Sequence, residues 1–131
     1  MENEFRITRI IKAPIQKVFE ALSNPQIISE YAGETVLEPK LGGKFSMFDG
    51  WVNGKVLAYQ PNSLLSYTWK PNDWDADADE SIVSYKLIAD KENTIIELTH
   101  TNLPDETEAT NHEKGWEEYV FQPLEEFLEM G

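Results

Sequence analysis

The sequence predicts an α+β fold: a curved antiparallel sheet of about seven strands, two short helices after the first strand, and one long C-terminal helix across the concave face. Three observations carry this. Residues 110–130 place Trp116, Tyr119, Val120, Leu124, Phe127 and Leu128 at three-and-four spacing, stacking them along one face of a helix, while Glu113, Glu117, Glu118, Glu125 and Glu129 take the remaining surface. Residues 35–101 instead alternate apolar and polar side chains in runs separated by short turns, the pattern of strands paired antiparallel with their neighbours. Between them and the first strand, apolar residues recur at helical spacing in two pieces broken by Ser23-Asn24-Pro25. A sheet with one apolar face and a helix with one apolar stripe satisfy each other when packed together.

Each element has a local reason. Residues 5–12 are isoleucine-rich and alternate as a strand; Ala13-Pro14 ends it, and Pro14 opens a helix in which Ile15, Val18, Phe19 and Leu22 share a face. Asn24 caps a second helix with Pro25 in its first turn, Ile27, Ile28 and Tyr31 on its buried side and Gly33 at its end. Strands follow over 35–37, 44–48, 51–59, 63–70, 81–89 and 94–101, with Asp49-Gly50 as a tight hairpin turn. Alternation turns Leu65, Tyr67 and Trp69 to one side, as it does Val83, Tyr85 and Leu87, and then Ile96, Leu98 and His100. Thr110 and Glu113 form a capping box for the long helix, which at 1.5 Å per residue spans roughly 30 Å, the width of a small domain. Pro123 removes the hydrogen bond to the Tyr119 carbonyl and predicts a bend there.

Composition bounds the function. With 131 residues and 40% apolar side chains, residues 1–131 make one domain with a genuine core. The absence of cysteine excludes disulfides, thiolate metal sites and a cysteine nucleophile. A net charge of −13 repels phosphate backbones and anionic lipid, so neither nucleic acid nor membrane is an expected partner. The N-terminus has no basic start and no apolar run, and no stretch reaches membrane-spanning length. This acidic chain reads as soluble and cytoplasmic.

Residues spread through the chain carry a family resemblance. They are Ile11-Lys12-Ala13-Pro14 with Val18-Phe19 and Ala21-Leu22, Gly42-Gly43-Lys44-Phe45, Gly54-Lys55-Val56, and Leu65 with Tyr67-Thr68-Trp69. Leu98-Thr99-His100-Thr101-Asn102-Leu103-Pro104 and Gly115-Trp116-Glu117-Glu118-Tyr119 with Leu124 complete the set. In order and spacing they resemble the activator of heat shock protein 90 ATPase homologue family, specifically that activator's C-terminal domain. The family lies within the START and birch-pollen-allergen superfamily with its helix-grip fold. The resemblance implies a co-chaperone role in the stress response with heat shock protein 90 as partner. It also implies a space between sheet and last helix where the superfamily holds apolar ligands.

The residues suggest where such a ligand would sit. Tyr67, Trp69 and Tyr85 from the sheet, His100 beside them, and Trp116 and Tyr119 from the helix point to one interior space, which the rings either line or fill. His100, on an apolar face, reads first as a buried, hydrogen-bonded histidine and second as a ligand or proton-transfer group. His112 is expected to be exposed in the first turn of the last helix. Asp73, Asp75, Asp77 and Asp79 alternate like the opening of a calcium loop but lack the sixth-position glycine and the closing glutamate, so no metal site is expected. They read instead as a mobile, solvated loop in which Trp74 covers the pocket mouth or touches a partner. No nucleophile with base and orienting group is recognisable, and no cofactor motif appears.

Three functions are compatible with this pattern. The leading one is a non-enzymatic binding domain for a small apolar or aromatic ligand between the sheet and the C-terminal helix. The second is a co-chaperone-like regulator that binds heat shock protein 90 through its acidic surface. The third is a cyclase- or hydrolase-like enzyme using His100 as acid or base.

Overall fold

The computed structural model describes residues 3–130, and its core is the space between one sheet and one long helix. In order the chain forms β1 (Phe5–Ile11), α1 (Ile15–Ser23), α2 (Pro25–Ala32), β2 (Val36–Leu37), β3 (Lys44–Met47), β4 (Val52–Gln60), β5 (Leu64–Pro71), β6 (Ser81–Asp90) and β7 (Asn93–Thr101). The C-terminal helix follows as α3 (Glu106–Gly115), a π-helical turn (Trp116–Phe121) and α4 (Gln122–Met130). The sheet has the order β1-β7-β6-β5-β4-β3-β2, antiparallel throughout. This is the helix-grip fold. Strands two to seven form a meander, each paired antiparallel with the next across a turn or, between β5 and β6, the acidic loop of residues 72–80, while β1 closes the sheet by pairing with β7, Phe5 opposite His100 and Ile11 opposite Thr94.

The local signals operate as chemistry. Asn24 accepts from the Gln26 N–H at 3.0 Å to cap α2, and Gly33 ends that helix at φ 82°, a conformation few other residues adopt without strain. The Asp49-Gly50 turn closes with a bond from Trp51 N–H to the Phe48 carbonyl at 3.1 Å. Both central residues have the positive φ of a primed hairpin turn, 59° and 88°. Phe48 is also left-handed, at φ 54°, which is costly for a bulky residue. It is held there through Asp49, whose N–H donates to the Glu34 carbonyl at 3.1 Å and whose carboxylate accepts from the Glu34 N–H at 2.8 Å.

The last helix departs from its sequence reading in two ways. It begins at Glu106, four residues before the expected cap at Thr110, because Asp105 accepts from the Glu108 N–H at 2.8 Å and serves as N-cap directly after Pro104. The disruption expected at Pro123 takes the form of the π turn just before it, where Gln122 N–H reaches back five residues to the Glu117 carbonyl. The wider turn slips the buried stripe: Phe121 enters the core, whereas Tyr119, expected inside, is 61% exposed. From the edge strand β1, the Arg9 guanidinium pairs with Glu117 and lies 5.6 Å from the centre of the Phe121 ring, bracing this turn against the sheet.

Candidate functional site

A pocket of about 260 Å³ opens where the N-terminal half of the last helix meets the sheet. The left-handed turn between β3 and β4 supplies Phe48 and Trp51, and β5 supplies Trp69. His112, Gly115, Trp116 and Val120 form the helix side. Asp73, Glu108, Asn111 and Tyr119, more exposed, make the rim. The rings support one another, with Trp69 5.0 Å from Trp116 and Trp51 stacked 6.3 Å from His112 between centroids.

Two histidines organise this wall, His112 within it and His100 behind it. Trp69 donates its indole N–H to His112 Nε2 at 3.1 Å, so the His112 proton is on Nδ1, which donates to the Glu108 carbonyl at 3.0 Å. Trp116 donates to His100 Nδ1 at 3.0 Å, so His100 carries its proton on Nε2 and gives it to Ser81 Oγ at 2.8 Å. Ser81 passes its own proton to the Trp69 carbonyl at 2.6 Å. An indole can only donate, so each imidazole must stay neutral to keep its tryptophan. Burial accordingly holds His100 far below its ordinary pKa, at about 3, and the adjacent His112 ring pushes the same way. Burial also lowers His112, opposed by its bond to the Glu108 carbonyl and by the Glu108 and Asp73 carboxylates. His112 is therefore buried, 9% exposed, and not on the surface as its position in the sequence suggests. It faces the sheet because it lies four residues, about one helical turn, before Trp116 on the same helix face.

Of the six residues expected at the ligand space, Trp69 and Trp116 line the pocket and Tyr119 stands at its rim. Tyr67, Tyr85 and His100 do not line it. Tyr67 stacks on Phe45 at 3.8 Å and donates to the Tyr85 hydroxyl at 3.3 Å, and both phenols are buried, which raises their pKa values. These rings fill the centre of the grip, and this pocket lies to one side of them. Ser81 and His100 stand at the separation of a nucleophile and its base, but Trp116 occupies Nδ1, the proton sits on Nε2, and both side chains are 0% exposed. The geometry gives His100 no vacant nitrogen for acid–base work.

The acidic loop is tied down by its own backbone. Lys70 Nζ donates to the carbonyls of Ala76 and Ala78 at 3.0 and 2.7 Å, and Trp74 donates to Glu108 Oε1 at 3.0 Å from a position beside the pocket. Among the described residues no three histidine or acidic side chains converge as metal ligands, and no helix is long and apolar enough to cross a membrane. Phe48, Trp51, Glu108 and His112 escaped the sequence reading. A usable signal existed for the last two: Glu108, His112, Trp116 and Val120 recur every four residues and extend the helix face back beyond Thr110.

Known proteins agree with this architecture. The activator of 90 kDa heat shock protein ATPase homolog of Dictyostelium discoideum is 27% identical over 92 residues, covering 70% of this chain and 24% of that protein. The corresponding homolog 2 of Mus musculus is 21% identical over 125 residues, covering 95% of this chain and 37% of that protein. The chain thus spans between about a quarter and about two fifths of the length of these curated relatives. The crystal structure of an HSP90 activator from Plasmodium falciparum superposes with a TM-score of 0.86 at 26% identity, covering 95% of both chains. Residues 12–129 match the family described as Activator of Hsp90 ATPase homolog 1-like protein, and the chain belongs to that family.

Proposed function

We propose that this protein is a non-enzymatic binding domain that holds one small aromatic or apolar molecule between its sheet and its C-terminal helix. The observation that carries this is the pocket of about 260 Å³ walled by Phe48, Trp51, Trp69 and Trp116. A cavity of about 150 Å³ takes a benzene ring, so the space suits a compact body of one or two rings. The solid packing of Tyr67 and Tyr85 argues against a long acyl chain running under the helix. The commitment of every His100 and His112 nitrogen to the wall favours holding over chemistry.

The test is a proton–nitrogen NMR titration with neutral aromatics, flavonoids and lipids. Saturable shifts centred on the Trp51, Trp69 and Trp116 indole signals support the reading. A panel that leaves all three unmoved removes it.

A second reading has its own support. The match to the Plasmodium falciparum HSP90 activator runs along nearly the whole of both chains, and the outer face of the last helix exposes Glu113, Glu118 and Glu129. On this reading the acidic face docks on a basic surface of heat shock protein 90. Its mark is chaperone binding that weakens steeply with added salt while the pocket signals stay still. Binding insensitive to salt counts against it.

A further inference from the structure

We propose that the pocket selects positively charged ligands, namely aryl or alkyl ammonium compounds whose apolar body enters between the tryptophans while the cation stays at the rim. This rests on reading the pocket as a ligand site and adds the charge of the ligand. The walls are π surfaces. Trp69 and Trp116 spend their indole N–H groups inside the wall, on His112 and His100, so what they present to the space is ring carbon. A cation over an indole or phenol face is attracted by the ring quadrupole, most strongly where water is partly excluded.

The rim fixes the sign. Among the described residues, Asp73 and Glu108 are the only ionised side chains on the lining, and no lysine or arginine belongs to it. The neighbouring cation, Lys70, is already committed to two backbone carbonyls. Glu108 gives Oε1 to Trp74 and keeps its second oxygen, and Asp73 takes no hydrogen bond from any described residue. The side-chain donors left on the lining, those of Trp51, Asn111 and Tyr119, are all neutral. A carboxylate ligand therefore meets two like charges with no cation to pair with it, whereas an ammonium group meets two partners. The net charge of −13 adds a long-range field of the same preference.

Three probes with one indole body separate the ideas: tryptamine, tryptophol and indole-3-acetate, titrated at neutral pH and physiological ionic strength into isotope-labelled protein. The expected order is tryptamine about tenfold tighter than tryptophol, with indole-3-acetate weakest. The double variant Asp73→Asn, Glu108→Gln, in which the glutamine oxygen still accepts from Trp74, is expected to bind tryptamine and tryptophol within about twofold of each other. Equal or tighter binding of tryptophol or indole-3-acetate by the unaltered protein overturns the charge selection while leaving the ligand site standing. Failure of all three probes to shift the indole signals overturns both, as does tryptamine moving only signals of the acidic loop.

Discussion

Trp116 donates its indole N–H to Nδ1 of His100 at 3.0 Å, and this bond decides where the proton on His100 sits. Because the other nitrogen must then donate to Ser81, the interior side of the pocket wall depends on a neutral imidazole. Protonating His100 turns its acceptor into a donor facing another donor.

Acid should therefore loosen the fold before it neutralises most carboxylates. His100 titrates near 6.5 when unfolded and at about 3 when folded, so between these values the unfolded chain binds the extra proton. Stability is present in full above pH 6.5 and is lost as pH falls towards 3, by about 2 kcal/mol at pH 5 from this group alone. Urea unfolding at pH 7.5 and 5 measures the loss, and His100→Gln, which cannot titrate, should flatten the slope. An unchanged slope in that variant assigns the dependence to other groups.

Trp116→Ala should cost about 3 to 5 kcal/mol, the usual penalty for emptying a core position of an indole. Trp116→Phe retains a ring but orphans His100 Nδ1, and should cost about 1 to 3 kcal/mol. Chemical denaturation reads both. A loss below about 1 kcal/mol for the alanine variant would deny the helix its role as anchor of the core.

Gly115 lies in helical conformation on the pocket lining, and a Cβ built there meets only the Tyr119 ring, at an ordinary 3.9 Å. Gly115→Ala should raise stability by up to about 1 kcal/mol through helix propensity. The added methyl also narrows the pocket, so ligand affinity should fall as thermal stability rises. Thermal melts and a binding titration on the same variant check the opposition.

Gly54 is the contrary case. On β4 a Cβ would stand 1.9 Å from the Thr68 carbonyl oxygen of β5, backbone that cannot move aside without breaking the sheet. Gly54→Ala should destabilise by about 3 kcal/mol or more. A neutral result in denaturation would mean that β4 and β5 can separate here at little cost.

Much of this architecture was legible in local pattern. Alternation in β5, β6 and β7 assigned their inward residues, and Asn24, Gly33 and Asp49-Gly50 marked ends and turns, because those signals act within a few residues. The start of the last helix was ambiguous for the same reason. Thr110-Glu113 and Asp105-Glu108 are both capping patterns, and in the structure Asp105 caps the longer helix while His112 meets Trp69.

The sequence by itself determined the order of elements, the faces that β5, β6 and β7 bury and the family, since periodicity and turn chemistry depend on neighbours in the chain. Tertiary structure alone decided which aromatics fill the grip and which line a pocket. Tyr67 and Tyr85 share their face with Trp69, but only the positions of Phe45 and Trp116 show which rings are covered. It also decided the π turn that puts Tyr119 at the rim, and the pairing of donors with acceptors 43 and 34 residues apart, Trp69 with His112 and Trp74 with Glu108. Such pairings depend on distances between elements, which no local pattern encodes.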